Sequence, residues 1–297
     1  MKCYFVRGLS RSGGTLMATI LDAHPDVAMS YETYEHLLMP CRTETAFNLH
    51  SKIGENKKKI LDQIKSSFFS EEKKSASNFT KFVERAKRAG IDQESLGHLF
   101  FEHFDQGLKL DSFSDRMRFV ERLTKVKMVH EGKRFWGGKI VSIYDELDEM
   151  YPDARYLFML RDGRDIAASR KKVGDFKQTV EHVADTWCKQ IKKFENFATK
   201  NEGRAVFVPY EQLTLDPETE LRRLMEKIDL PWSERLLDFH KLDLSIHRKP
   251  TGHLSGKQVK SPINTSSIGR WKTDLTQNEI SRFEERAGET LAMLGYL

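Results

Sequence analysis

Residues Gly8 to Thr15, Gly-Leu-Ser-Arg-Ser-Gly-Gly-Thr, carry the spacing of a phosphate-binding loop, G-x-x-x-x-G-K-[ST], with Gly14 in the lysine's place. If this stretch joins a strand to a helix, the backbone N–H groups of Gly13, Gly14 and Thr15 converge on an anion at the positive end of that helix. Ser12 lies inside the loop, and Arg11 offers a planar, permanently charged fork in place of the missing ammonium. Such a loop holds a phosphate but is poorly equipped for ATP hydrolysis. The plainer reading is a glycine-rich turn that packs a helix against a strand.

A second constellation is Arg161-Asp-Gly-Arg-Asp-Ile-Ala-Ala-Ser169, directly after the apolar run Arg155–Leu160. Arg161 falls at the carboxyl end of that run, where open α/β sheets bind their ligands. Ser169 lies two turns along the helix that follows, so an arginine and a hydroxyl together suit a second phosphate. A turn with a helix-capping aspartate explains the same residues without a ligand.

The elements that must position these groups follow from the pattern. Cys3–Leu9, Arg155–Leu160 and Ala205–Val208 read as buried parallel strands. Helical periodicity occupies 14–23, 142–151, 178–200 and 277–294, and Pro217 suits the first position of a helix running to Ile228. Repeated strand–helix order predicts an α/β fold with a central parallel sheet. Residues 42–135 show no strand and read as amphipathic helices, Lys59–Phe69 and Phe79–Ala89 among them. They form a helical insertion on the ligand-bearing edge of a single 1–297 domain. Residues 241–270, with Pro250, Gly252, Gly256 and Pro262, read as a long loop of the kind that often carries function.

Composition narrows the function classes. At 297 residues and 39% hydrophobic content the chain can bury a sizeable core. Its net charge of +5 is concentrated in 41–135, which holds 20 Lys and Arg against 14 Asp and Glu, while the remainder holds 29 against 30. That excess can attract an anionic ligand, although a solvated helix face explains most runs of this kind; the basic residues are not interleaved with aromatics, so no nucleic-acid partner is expected. No apolar run reaches the ~18 residues of a membrane span, and the glycine loop leaves no room for a secretory h-region. The reading is a soluble, cytoplasmic protein. Cys3, Cys41 and Cys188 lack metal-ligand spacing and are expected as thiols. No metal site is predicted.

Together the two motifs resemble the phosphosulfate-binding elements of the sulfotransferases, whose donor is 3′-phosphoadenosine 5′-phosphosulfate (PAPS) and whose product is the bisphosphate PAP. More narrowly, RSGGTLMATILDAHPDVAMSYET and FMLRDGRD are similar to the tyrosylprotein sulfotransferases and their bacterial relatives. The likeness extends through PYEQLTLDP, LPW and SPINTSSIGRWKTDLT to LAMLGYL, covering 1–40 and 136–297. It implies a P-loop NTPase-like three-layer fold and a metal-independent enzyme, since a single sulfonate needs no bridging Mg²⁺.

The resemblance also assigns roles. Glu32 corresponds to the general base that takes the acceptor's proton. Arg11 corresponds to the loop arginine on the phosphosulfate, and Lys139 to a lysine that stabilises charge on the bridging oxygen. Arg161 and Ser169 correspond to the 3′-phosphate ligands, and Tyr210 to a nucleoside contact. Lys260, Ser267 and Arg270 fall in the late loop that closes over the cofactor in this family. His36 is a rival to Glu32 as base, at an offset from the loop that differs from the histidine enzymes; His24 reads as a helix-end residue. Trp136 and Trp271 are candidates for stacking or for the core. Ile140-Val141 after Lys139 departs from the family pattern. The membrane anchor and disulfides of the animal enzymes have no counterpart in the sequence. A small-molecule kinase with a divergent P-loop, or a nucleotide-binding module without catalysis, are the alternatives.

Overall fold

The computed structural model describes residues 2–30, 32, 35–38, 57–69, 78–106, 110–141, 145–172, 178–245 and 258–297. Five strands, β1 (Cys3–Arg7), β2 (Val27–Ser30), β3 (Phe135–Lys139), β4 (Arg155–Leu160) and β5 (Ala205–Pro209), form one parallel sheet in the order β2-β3-β1-β4-β5. Helix α1 (Gly14–Ala23) follows β1 after the glycine loop. The fold is therefore α/β, as the alternation of apolar runs and helical patterns predicts.

The runs at 3–9, 155–160 and 205–208 account for β1, β4 and β5. Strands β2 and β3 have no such signature, for different reasons. β2 is only four residues long and fully buried, so it shows no alternation. β3, Phe-Trp-Gly-Gly-Lys, is weakened as a strand signal by its two glycines, yet Gly137 answers to a neighbour. A Cβ on Gly137 would lie 2.3 Å from the Tyr4 carbonyl oxygen of β1. The close approach of one backbone to another requires glycine inside the strand.

The chain divides into two compact units. The first comprises Met1–Phe5, Ala18–Ala154 and Leu242–Pro250. It contains helices α2 (Lys57–Phe69), α3 (Asn78–Arg88), α4 (Gln93–Asp105), α5 (Phe113–His130) and α6 (Asp145–Met150). No strand occurs among the described residues between 57 and 134. The helices converge on an aromatic cluster in which Phe79 and Phe82 of α3 meet Phe100 of α4 and Phe119 of α5, with Phe100 and Phe119 centroids 4.6 Å apart. Each ring buries a large apolar area, so this cluster fixes α3 against its neighbours. Trp136 belongs to a second aromatic group with Phe5 and Tyr151 and is a core residue, 1% exposed.

The second unit comprises Val6–Met17, Arg155–Lys241 and Thr251–Leu297. Its helices are α7 (Gly163–Lys172), α8 (Val180–Lys200), α9 (Tyr210–Leu215), α10 (Pro217–Lys227), α11 (Trp271–Asp274) and α12 (Gln277–Met293). Pro217 does open α10, with Asp216 accepting from the Thr219 amide as its cap. α12 starts with a reciprocal capping box between Thr276 and Glu279. The ring of Phe158 on β4 stacks on Phe194 of α8 at 4.3 Å, which seats α8 on the sheet. Of the polar stretch 241–270, residues 246–257 lie outside the described residues; the rest is irregular apart from short 3-10 turns such as Gln258–Lys260.

Candidate active site

In the second unit the glycine loop, the start of α7 and the late loop meet. Arg11 has φ 80° and Gly13 φ 96°, so two loop residues take the left-handed conformation that turns the backbone toward the first turn of α1. At that helix end the first amides have no intrahelical acceptor. Arg11 Nε donates to Ser169 Oγ at 2.9 Å. Arg161 donates through one nitrogen to the Arg11 carbonyl at 2.8 Å and through another to the Ser267 carbonyl. Its guanidinium lies 4.4 Å from the centre of the Tyr210 ring, a cation–π contact. Trp187 Nε1 holds the Arg161 carbonyl at 3.1 Å. Thus Arg11, Arg161, Ser169, Tyr210 and Ser267 form one group.

Lys260 is exposed on its 3-10 turn, and Arg270 pairs with Asp274 one helical turn on, at 2.9 Å. The late loop is tied to α7 by a residue with no sequence signal, Asp165. Its carboxylate accepts from the Gly269 amide at 2.9 Å and the Trp271 amide at 3.0 Å. Burial pushes the Asp165 carboxyl up, and the Trp271 amide, Arg161 and the Gly269 amide only partly offset that. Arg164 is held by Asp162, Glu284 and the Tyr296 carbonyl, with its guanidinium 4.0 Å from the Trp271 ring centre.

This cluster fits an anionic phosphate ester. Ser12 is 1% exposed, and its hydroxyl has no hydrogen-bond partner among the described residues; the same holds for Nε of Arg161. Buried polar atoms are nearly always paired, so two orphaned donors beside a glycine loop and two guanidinium groups point to an acceptor-rich ligand. Gly13 adds a steric condition. A Cβ there would lie 2.6 Å from Cδ2 of Tyr210, at a φ that side chains rarely adopt. If the loop holds PAP as the resemblance implies, Gly13→Ala is expected to weaken PAP binding about tenfold, because the added Cβ pushes the loop backbone or the Tyr210 ring out of place. Calorimetric titration with PAP checks this, with far-UV circular dichroism to establish that the variant folds.

The first unit carries the other predicted residues. β2 and β3 pair in parallel with Ser30 opposite Gly138, so Glu32, two residues past Ser30, and Lys139, one past Gly138, emerge at the same end of adjacent strands. Lys139 Nζ donates to Glu32 Oε1 at 2.9 Å. Arg85 of α3 lies 2.8 Å from the other oxygen, Oε2. The carboxylate is therefore held at both oxygens by cations from two elements. Arg85 is the residue that sequence reasoning missed. Its helix shows the apolar face Phe79, Phe82, Val83 and Ala86, but nothing in that periodicity says what the flanking arginine meets. The His36 side chain lies outside the described residues. His24 is fully buried at the end of α1, with Nδ1 accepting from the Asp26 amide at 3.0 Å, a helix-end role.

A strand–glycine loop–helix unit in a parallel sheet, with the buried Arg161 bonded to the loop backbone, defines a P-loop-type α/β protein. The sequence profile of the sulfotransferase family matches residues 4–234, and the chain belongs to that family. It is similar to protein-tyrosine sulfotransferase A of Caenorhabditis elegans, 25% identical over 311 residues, covering 98% of this chain and 66% of that protein. It is similar also to the protein-tyrosine sulfotransferase of Drosophila melanogaster, 26% identical over 315 residues, covering 100% of this chain and 52% of the relative. The chain thus spans about half to two thirds of the length of these relatives. Among solved structures, the sulfotransferase domain of the Synechococcus PCC 7002 olefin synthase superposes with a TM-score of 0.58 at 16% identity, over 96% of this chain and 94% of that one. That likeness is one of fold.

Proposed function

We propose that the chain is a sulfotransferase that moves a sulfuryl group from PAPS to an acceptor hydroxyl or amine by in-line displacement. The observation that carries the donor reading is the buried Ser12 hydroxyl left without a partner in a lysine-less loop, beside Arg11 and Arg161. When bound, the donor supplies a sulfuryl group on a phosphate leaving group. The loop amides of Gly13, Gly14 and Thr15, with Arg11, hold the 5′ end. Arg161 and Ser169 hold the 3′-phosphate that ATP lacks, and Tyr210, Ser267, Lys260 and Arg270 complete the nucleotide site. Glu32 takes the acceptor's proton, and Lys139 offsets negative charge on the bridging oxygen. Positioning and electrostatics supply the acceleration, with no metal ion.

The relatives' names put a tyrosyl phenol first in an acceptor screen, followed by glycans and small phenols. The helical 42–135 segment is the acceptor side in this reading, and its basic residues favour anionic acceptors. The reading also has the protein at work in the cytoplasm. A thermal-shift comparison tests the donor class. PAP at a hundred times its Kd is expected to stabilise by ~2.7 kcal/mol, a rise of roughly 4 °C for a chain of this size, whereas ATP with Mg²⁺ leaves the midpoint within about 1 °C. The opposite result replaces this reading with a kinase.

A further inference from the structure

The late loop is held to the start of α7 by side chains: Arg161 takes the Ser267 carbonyl, Arg164 stacks on the Trp271 ring, and one buried carboxylate, Asp165, takes two backbone amides. Ser267 to Trp271 are all partly exposed, Gly269 has φ 67°, and α11 beyond them has no buried residue. Against this, Asp165 is 1% exposed and uses both oxygens on this loop, one on the Gly269 amide and one on the Trp271 amide. Its immediate neighbour in charge is Arg161, 3.8 Å away, whose guanidinium grips the Ser267 carbonyl of the same loop and the Arg11 carbonyl of the glycine loop. Two backbone segments, the late loop and the glycine loop, thus converge on two side chains one helical turn apart. A carboxylate taken out of water is costly unless it is fully hydrogen-bonded, and among the described residues Asp165 finds its partners in Arg161 and the loop.

We propose that Asp165 is a positioning residue for the donor site: it latches residues 267–271 onto α7, and through Arg161 sets the loop against the glycine loop before the nucleotide arrives. This rests on the donor reading given above and adds to it a group that touches no ligand. The order matters energetically. A loop ordered in advance does not have to be immobilised on binding, so the latch contributes to affinity by preorganisation. Asparagine at 165 keeps the shape but replaces one acceptor oxygen by an NH₂ group, which cannot accept from an amide. One of the two loop bonds is then lost and two donors face each other.

Hydrogen exchange followed by mass spectrometry, without nucleotide, reads the latch directly. In Asp165→Asn and Asp165→Ala, exchange is expected to rise at least tenfold in the peptide spanning 267–271 and to stay unchanged in peptides from β4 and α8. PAP affinity, measured by calorimetry, is expected to fall about tenfold or more, with Asp165→Ala at least as impaired as Asp165→Asn. Unchanged exchange at 267–271 overturns the latch, and so does faster exchange with unaltered PAP affinity. Exchange that rises throughout the second unit marks a purely structural role and overturns it as well. A wild-type protein that fails to bind PAP brings down the donor reading itself, an outcome separate from any difference between wild type and variant.

Discussion

Glu32→Gln is expected to lower sulfuryl transfer by at least a hundredfold while PAP affinity stays within about twofold of wild type. The size follows from the role. A positioned general base contributes typically ~10²–10⁴ in rate, and glutamine keeps the volume of glutamate while losing the proton acceptor. Affinity is spared because the roles proposed for Arg11, Ser12, Arg161 and Ser169 in holding PAP do not call on the charge of Glu32. The measurement is transfer from labelled PAPS across a panel of tyrosyl peptide, glycan and small-phenol acceptors, beside a calorimetric PAP titration. Full turnover in the variant would remove Glu32 from the mechanism. The present geometry also shapes what the base must do. Both oxygens are occupied, by Lys139 at 2.9 Å and by Arg85 at 2.8 Å, so in the proposed mechanism the acceptor hydroxyl would meet a carboxylate already fixed in direction.

The second large effect concerns stability. Lys127 of α5 is 2% exposed, and its ammonium meets Asp22 Oδ1 at the end of α1 and Glu131 at 3.2 Å. Asp22 also accepts from the Met29 amide at 2.8 Å and faces Lys133, whose ammonium donates to the Asp22 carbonyl at 2.6 Å. α1, β2 and α5 are therefore joined through one buried carboxylate. Burial pushes the Asp22 carboxyl up, but Lys127, Lys133 and the Met29 amide outweigh it and hold it below the ordinary 3.8. With the folded value depressed, this stabilisation is fully present above pH 3.8 and drains away as the pH falls through the folded value. Lys127→Met leaves Asp22 buried with a partner missing. Breaking such a pair costs ~3–5 kcal/mol, and with Lys133 still in place we expect about 3. In thermal unfolding that corresponds to a fall of roughly 5 °C. Adding Asp22→Asn to Lys127→Met is expected to recover part of the loss, because the uncompensated charge disappears. A midpoint within about 2 °C of wild type in Lys127→Met would show the pair to be dispensable.

How much of this was legible in the sequence depends on the range over which each feature is determined. The glycine loop, β4 and the Arg161–Ser169 segment are local, and their spacing alone places a loop before one helix and an arginine before another. Long helices announced themselves too: the pattern at 178–200 corresponds to Val180–Lys200, and that at 277–294 to Gln277–Met293. β3 was hidden because Gly137 answers to the Tyr4 backbone, a neighbour more than a hundred residues away. The same holds for the polar contacts. Asp165 in Arg-Asp-Gly-Arg-Asp looks like a cap, and only the return of the chain at Gly269 gives it the loop amides. Arg85 reads as one more cation on an amphipathic helix until the aromatic cluster delivers it to Glu32. Cys41 and the centre of the late polar stretch fall outside the described residues, while Cys3 is buried and Cys188 partly so, both as free thiols.

One feature of the glycine loop bears on how such a protein can be altered. Arg11 is a side-chain-bearing residue at φ 80°, a conformation that costs ~1–2 kcal/mol outside glycine. Its guanidinium fork and its backbone therefore pull in opposite directions. Selection for heat resistance alone would drive position 11 toward glycine and strip the loop of its charge, whereas selection for nucleotide capture would retain a residue that the fold itself disfavours. Thermostabilised libraries of this chain should accordingly carry a fixed arginine at 11 from the outset.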